Sequence, residues 1–354
     1  MAEFSNTTVA LFGAYDQANF GDDLMAAQIG HWLNSLGCTV KVFRLPTDLC
    51  QQYQLTRCLS VEELLQDVDC CIYGGGGMLT LNSTSETWAQ ELQADQFKLG
   101  SYIQDKKIPT FFASIGGDGN PVCCTRASSI FMLTRNSVRG ATTRLKVDAD
   151  TLTKLGLQVS HFDDIVLSAP QMLQIPQKAP LPLDTNRPFR IAINLNKSKY
   201  HYKALCVLRY YARFRNASLT NLTTHREDSP HSYEIRSPKL PNHCYKSPSA
   251  TLEFLSENTD LVISSKLHIG VAALSLGKKF ISLGGPPKAK AAIERFEQSR
   301  SCKSTYICDS IRQLLKHIEY FRKQVSPASH DTNSGDSLGH LRAIQAFLQE
   351  VRGQ

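Results

Sequence analysis

The chain has 354 residues, of which 42% are hydrophobic and 20% charged. That is enough for two domains with buried cores, and it excludes wholesale disorder, a collagen-like chain and a coiled-coil rod. Lys and Arg number 39 against 32 Asp and Glu, a net +7, but residues 190–250 hold 11 of the bases and only three acids. That segment is +8 and the remainder −1, so the basicity belongs to one region and a general polycation is excluded.

The N-terminal residues lack the basic and long apolar runs of a secretory signal, and no stretch of 18 apolar residues occurs. Eleven cysteines include the pairs Cys70-Cys71 and Cys123-Cys124, with no C-x-x-C and no zinc-like spacing. The expectation is a cytoplasmic protein with reduced, mostly buried thiols and no metal.

In chain order, residues 9–12 read as a strand, and a helix starts near Gly21. Its apolar residues Met25, Ile29, Trp32, Leu33 and Leu36 share one face, and Gly37 stops it. Strands at 39–45 and 69–73 bracket a short helix at 61–65. A helix at 86–104, a strand at 109–115, a short strand at 136–139, a helix to 155 and a strand at 159–162 follow. Residues 173–188 carry four of the fifteen prolines and read as a stiff linker between domains 1–172 and 189–354. Alternation then restarts, with strands at 189–195, 260–264 and 279–283 and helices at 202–213, 251–258 and 268–276. Helices near 288–298, 308–323 and 337–352 close the chain, while 216–250 is polar and without a clear period. The reading is α/β, two doubly wound parallel units. Ligands of such sheets sit beyond the carboxyl ends of the strands, here expected in a cleft between the domains.

Four strand ends carry unusual residues. Residues 13–23 include Asn19-Phe20-Gly21-Asp22-Asp23, where the acids suit either a helix cap or a site. Gly74-Gly75-Gly76-Gly77 follows an apolar strand and fits neither G-x-G-x-x-G nor a P-loop. Its glycines favour a tight bend or close approach to a ligand. Arg139, at the end of the 136–139 strand, could grip a carboxylate or phosphate or make a surface ion pair. Ser265-Lys266-Leu267-His268 opens a helix, where two basic side chains and free N–H groups make an anion site. Lys288 and Lys290 follow the next strand and would approach His268 if those strands are neighbours.

In this order and spacing the four loops resemble the polysaccharide pyruvyl transferase family. Its Asn-aromatic-Gly-Asp-Asp run is matched by residues 19–23, its four-glycine run by 74–77, its Val-Arg-acid strand end by Val138-Arg139, and its Ser-x-Arg-Leu-His turn by 265–268. The resemblance implies two Rossmann-like domains in a glycosyltransferase-B-like arrangement. It also implies transfer of a pyruvyl group from phosphoenolpyruvate to two hydroxyls of a sugar, forming a cyclic ketal and releasing phosphate. The chain departs from the family at Lys266, where Arg is usual, and at Gly140, where an acid is usual; Lys cannot make the bidentate fork of Arg.

Carried onto this sequence, the resemblance makes Arg139, Lys266, His268 and Lys288 the cations for the donor, with Asn19, Gly75, Gly76 and Gly77 at the ligand edge. His268 is the expected acid, toward C3 of the donor or toward the departing phosphate, and Asp22 or Asp23 the carboxylate assisting the acceptor hydroxyl. No cofactor is required beyond phosphoenolpyruvate as donor substrate. The product would belong to an exopolysaccharide or cell-wall polymer. The basic 190–250 segment interleaves seven aromatic residues between Tyr200 and Tyr245. It suits a lipid-diphosphate- or nucleotide-linked sugar acceptor and peripheral contact with an anionic membrane at its inner face. A solvated helix face with Tyr210 and Phe214 turned into the core is the structural alternative, and no nucleic-acid motif is present. A nucleotide-sugar glycosyltransferase of the same architecture and a non-catalytic relative are the competing functional readings.

Overall fold

The computed structural model describes residues 3–79, 87–117, 119, 135–176, 187–227, 229, 233–298, 303–324 and 335–353. The chain divides into two compact units. One comprises Met1–Ala18, Asp22–Ile165 and Asp336–Gln354, the other Asn19–Gly21 and Val166–Gly335.

The first unit alternates β1 (Thr8–Phe12), α1 (Phe20–Ser35), β2 (Thr39–Phe43), α2 (Thr47–Tyr53), β3 (Thr56–Cys58), α3 (Val61–Leu65), β4 (Cys70–Gly74), α4 (Thr87–Lys106), β5 (Thr110–Ile115), β6 (Val138–Thr143), α5 (Lys146–Lys154) and β7 (Val159–His161). The strands form one parallel sheet in the order β3-β2-β1-β4-β5-β6-β7. β4 and β5 are buried along their whole lengths, as the near-continuous apolar runs of their sequences require in a sheet covered on both faces. Cys58 of β3 and Cys70 and Cys71 of β4 lie buried and without a disulfide, and burial pushes the Cys71 thiol up to about 12, so it stays protonated and unreactive. The second cysteine pair, Cys123-Cys124, lies outside the described residues.

The second unit carries α6 (Ala169–Met172), β8 (Phe189–Asn194), α7 (Lys199–Phe214), β9 (Ala217–Leu222), β10 (Asn242–His243), α8 (Pro248–Asn258), β11 (Leu261–Ser264), α9 (Leu267–Ser275), β12 (Lys279–Leu283), α10 (Pro287–Gln298), β13 (Thr305–Cys308) and α11 (Ile311–Lys323). Its strands are also parallel, in the order β10-β9-β8-β11-β12-β13.

Both sheets reverse their direction of winding once. The reversal falls between β1 and β4 in the first and between β8 and β11 in the second. Doubly wound sheets open a crevice for ligands at this point, beyond the carboxyl ends of the two flanking strands.

The boundaries differ from those drawn on the sequence. The second unit begins at Val166, before the prolines; residues 177–186 of the expected linker lie outside the described residues. The last helix, α12 (Gly339–Arg352), was expected to close the second domain but belongs to the first unit. Phe347 stacks on Phe111 of β5 with ring centroids 5.4 Å apart, and the His340 ring lies 2.9 Å from the Asp163 carbonyl. An amphipathic pattern tells a helix to bury a face without telling it which sheet to use.

Candidate active site

The polar residues of the second unit gather at its reversal point. β8 ends in Asn194, whose amide donates to the Leu222 carbonyl at 2.9 Å and to Glu234 at 2.7 Å. β11 ends in Ser264, whose hydroxyl donates to Asn194 Oδ1 at 3.1 Å and accepts the Lys266 amide at 2.8 Å. The Ser265 hydroxyl accepts the Asn196 amide at 3.0 Å. These bonds fix the turn that launches α9, so that Lys266 and His268 stand at a helix start beside β8.

Lys266 Nζ donates to Glu234 Oε1 and to the Thr224 hydroxyl, each at 2.8 Å, and lies 3.1 Å from His225 Nδ1. Glu234 is 2% exposed and also accepts the Thr224 amide at 2.8 Å and its hydroxyl at 2.5 Å. Burial would raise the Glu234 carboxyl. Hydrogen bonding from His225, the charge of Lys266, and hydrogen bonds from Lys266 and Thr224 outweigh it and hold the group well below the ordinary carboxylate range. Lys266 is thus a half-buried cation already paired on one side.

The N-terminal motif enters the same unit. Asn19 bridges to His225, and the Phe20 amide donates to the Thr224 carbonyl at 2.7 Å. Phe20 meets Tyr245 edge-on at 5.8 Å. A Cβ on Gly21 would stand 2.1 Å from His268 Nδ1, so the glycine is what lets the imidazole lie against this backbone. Asn19 Oδ1 accepts the Gly21 amide at 3.3 Å. The cap of α1 is therefore Asn19, where Asp22 or Asp23 was the expected candidate.

The corresponding loops of the first unit also meet. Gly75 and Gly76 have φ of +83° and +81°, a conformation that disfavours any side chain. A Cβ on Gly76 would stand 2.5 Å from Asp22 Oδ1. Tyr15 donates its hydroxyl to the Gly74 carbonyl, and the Gly76 amide meets Met25 Sδ at 3.2 Å. Asp22 is half-buried beside this glycine bend, while Asp23 is fully buried; the acid able to meet a ligand is Asp22. Gly77 follows the bend, half-buried.

Arg139 does not stand where the sequence placed it. β6 begins at Val138, so Arg139 lies at its amino end, 40% exposed and 3.9 Å from Glu350. The arginine beyond the carboxyl end is Arg144, whose side chain is 1% exposed and 3.7 Å from Asp164. It borders the Gly116 backbone, and the Gly117 amide donates to Asp148 at 3.0 Å. Lys288 is half-buried in the first turn of α10, which follows the neighbour of β11. Lys290 is exposed, 3.9 Å from Glu294. Among the described residues no group of three or more His, Cys, Asp and Glu side chains is placed to hold a metal ion.

The sequence matches polysaccharide pyruvyl transferase over residues 19–285, a span holding the strand ends just described from Asn19 onward. The chain belongs to the polysaccharide pyruvyl transferase family. No curated protein matches it in sequence. Its fold resembles a structure from Listeria monocytogenes provisionally assigned as a UDP-N-acetylglucosamine 2-epimerase (11% identity, 98% of this chain and 97% of the other, TM-score 0.62). It also resembles a co-structure of S. aureus MnaA with UDP (11%, 96% and 95%, TM-score 0.61). The calicheamicin glycosyltransferase CalG4 is similar too (12%, 98% and 99%, TM-score 0.52). At these identities the likeness is one of fold, which is GT-B-like. In this polysaccharide pyruvyl transferase the glycine bend follows β4 and the Ser265–His268 turn follows β11, each at the reversal point of its own sheet, whereas Arg139 lies at the amino end of β6.

Glu234, Thr224, His225 and Asn194 escaped the sequence reading. They lie in or beside the aperiodic stretch 216–250, apart from Asn194. The one available signal was Glu234, one of only three acids in the basic segment.

Proposed function

We propose that the protein transfers a pyruvyl group from phosphoenolpyruvate to two hydroxyls of a sugar in a polysaccharide or its lipid- or nucleotide-linked precursor. C3 of the donor gains a proton, one acceptor oxygen adds to C2, and the second displaces phosphate to close the ketal. The observation that carries this reading is the His268–Lys266 pair at the start of α9, with the imidazole seated on Gly21. An anionic donor fits a helix start with two basic side chains. Electrostatic complementarity of this kind usually contributes most of the acceleration when phosphate is expelled.

His268 serves as the acid, since imidazole exchanges protons near neutral pH. Asp22, the next residue after Gly21, assists the acceptor hydroxyl. Lys266 acts as a single charged donor, because Glu234 and Thr224 fix the orientation of its ammonium. No helix among the described residues is long and apolar enough to cross a membrane.

The test is phosphate release from phosphoenolpyruvate against a panel of galactosides, glucosides and mannosaminides, free and diphosphate-linked. Acceptor-dependent release is the expected result. If millimolar phosphoenolpyruvate neither raises Tm nor yields phosphate with any acceptor, while a UDP-sugar stabilises the protein, a nucleotide-sugar glycosyltransferase takes its place.

A further inference from the structure

α7 has two sharply different faces. Ser198 caps it by accepting the His201 amide at 3.1 Å, and His201, Ala204, Leu205, Leu208 and Tyr211 are buried against the second sheet. At 100° per residue, the opposite arc of about 140° carries Lys199, Lys203, Arg209 and Arg213, all exposed. Helix α7 contains no acidic residue, and none of these four cations has an acidic partner among the described residues. The only acid of the adjoining helix α11, Glu319, is already engaged by Tyr211 at 2.8 Å, Arg322 at 3.5 Å and Arg215 at 3.7 Å.

The same arc holds large rings that the core does not take. Tyr202 is 49% exposed, Tyr210 70% and Phe214 62%. The alternative in which Tyr210 and Phe214 turn into the core is therefore not what the fold adopts: they pack against each other outside, tilted by 47° with centroids 4.6 Å apart, one helical turn removed. Exposed rings set among unpaired cations cost solvation free energy and mark an interaction surface.

We propose that this outer face of α7 rests on an anionic lipid surface. The cations meet headgroup phosphates and carboxylates, Tyr202 and Tyr210 sit at the interfacial layer, where amphipathic rings are most stable, and Phe214 enters its apolar side. The surface is a convex helix ridge, whereas single-stranded nucleic acids are held in grooves. Protein interfaces deplete lysine from their centres, whereas here lysine and arginine alternate with the rings. The contact would hold the enzyme where a lipid-linked acceptor is found, but its physics does not depend on the group transferred.

The test uses the full chain, without donor or acceptor, sedimented with vesicles of phosphatidylcholine alone or mixed with phosphatidylserine. Binding should require phosphatidylserine and weaken with salt. Lys203→Glu/Arg209→Glu should lower partitioning by about twenty-five-fold or more, each basic residue contributing about fivefold. Tyr210→Ser/Phe214→Ser should lower it about tenfold through lost ring insertion. Both pairs are exposed, so unchanged Tm and circular dichroism confirm the fold. Equal binding to both vesicles, or no binding at low salt, overturns the proposal. So does wild-type partitioning by both double variants. Tighter retention of a single-stranded oligonucleotide, or lipid-free self-association, lost in the same variants would also overturn it by naming another partner.

Discussion

At the residue scale, Gly21 and Glu234 decide what His268 and Lys266 can do. Gly21→Ala drives a methyl into the imidazole, whose Nδ1 lies 2.1 Å from the added carbon position. A displacement of about 1 Å in a catalytic group can cost on the order of a hundredfold in rate. The variant should therefore lose most of its phosphate-release kcat with Tm nearly unchanged, which steady-state assays beside thermal melts would show. Glu234→Gln removes the buried counter-charge of Lys266 and should cost about 1–3 kcal/mol of stability. The folded-state carboxyl is depressed, so its contribution is full above the ordinary carboxylate pKa and is lost as pH falls. The gap between wild type and variant in urea melts should therefore close on acidification. Arg139→Ala should leave turnover and stability near wild type, since its pair with Glu350 is exposed. Arg144→Met should destabilise the protein by about 3–5 kcal/mol by stranding Asp164 in the interior.

At the element scale, burial placed α12. Its apolar face covers β5 and β6, with Phe347 4% exposed against Phe111. Phe347→Ala should cost about 3–5 kcal/mol, read as an earlier denaturant midpoint for the first unit and protection lost in β5 by hydrogen exchange. The long periodic elements were legible in the sequence: α1, α4, β4, β5, β11 and α9 fall within a few residues of their predicted places. β9 was not, because Ala217–Leu222 lies in a polar stretch and carries only two large apolar residues, Leu219 and Leu222, without strict alternation. Its buried Asn221 is satisfied only by a distant partner, the Ser237 carbonyl at 2.9 Å. The strand around Arg139 was predicted too early. β6 runs five residues further than 138, and its polar Thr142 is tolerated in the interior because its hydroxyl accepts the Ser114 amide at 2.8 Å.

At the scale of the whole molecule, acid stability follows from the buried polar groups. Burial lowers the His340 pKa to about 3, against about 6.5 in the unfolded chain. Between those values the unfolded state holds a proton that the native state refuses, so stability rises with pH through that window and is complete above it. Stability should therefore fall from about pH 6.5 downward, by up to roughly 5 kcal/mol from this residue. His340→Gln should flatten that slope in urea melts across the range. A wild-type stability independent of pH there would overturn the account.

The sequence alone determined the α/β class, the two doubly wound sheets and some of the residues at their turns, among them the glycine bend and the Lys266–His268 helix start. Hydrophobic period and glycine placement are local, and each element carries its own. It also determined which segment is basic, since charge is additive along the chain. The tertiary structure decided which end of β6 an arginine occupies, which of two adjacent acids is accessible, and which sheet α12 covers. It also paired Lys266 with Glu234, 32 residues away. Each depends on burial against a partner remote in sequence, and desolvation, unlike periodicity, is a property of the assembled fold.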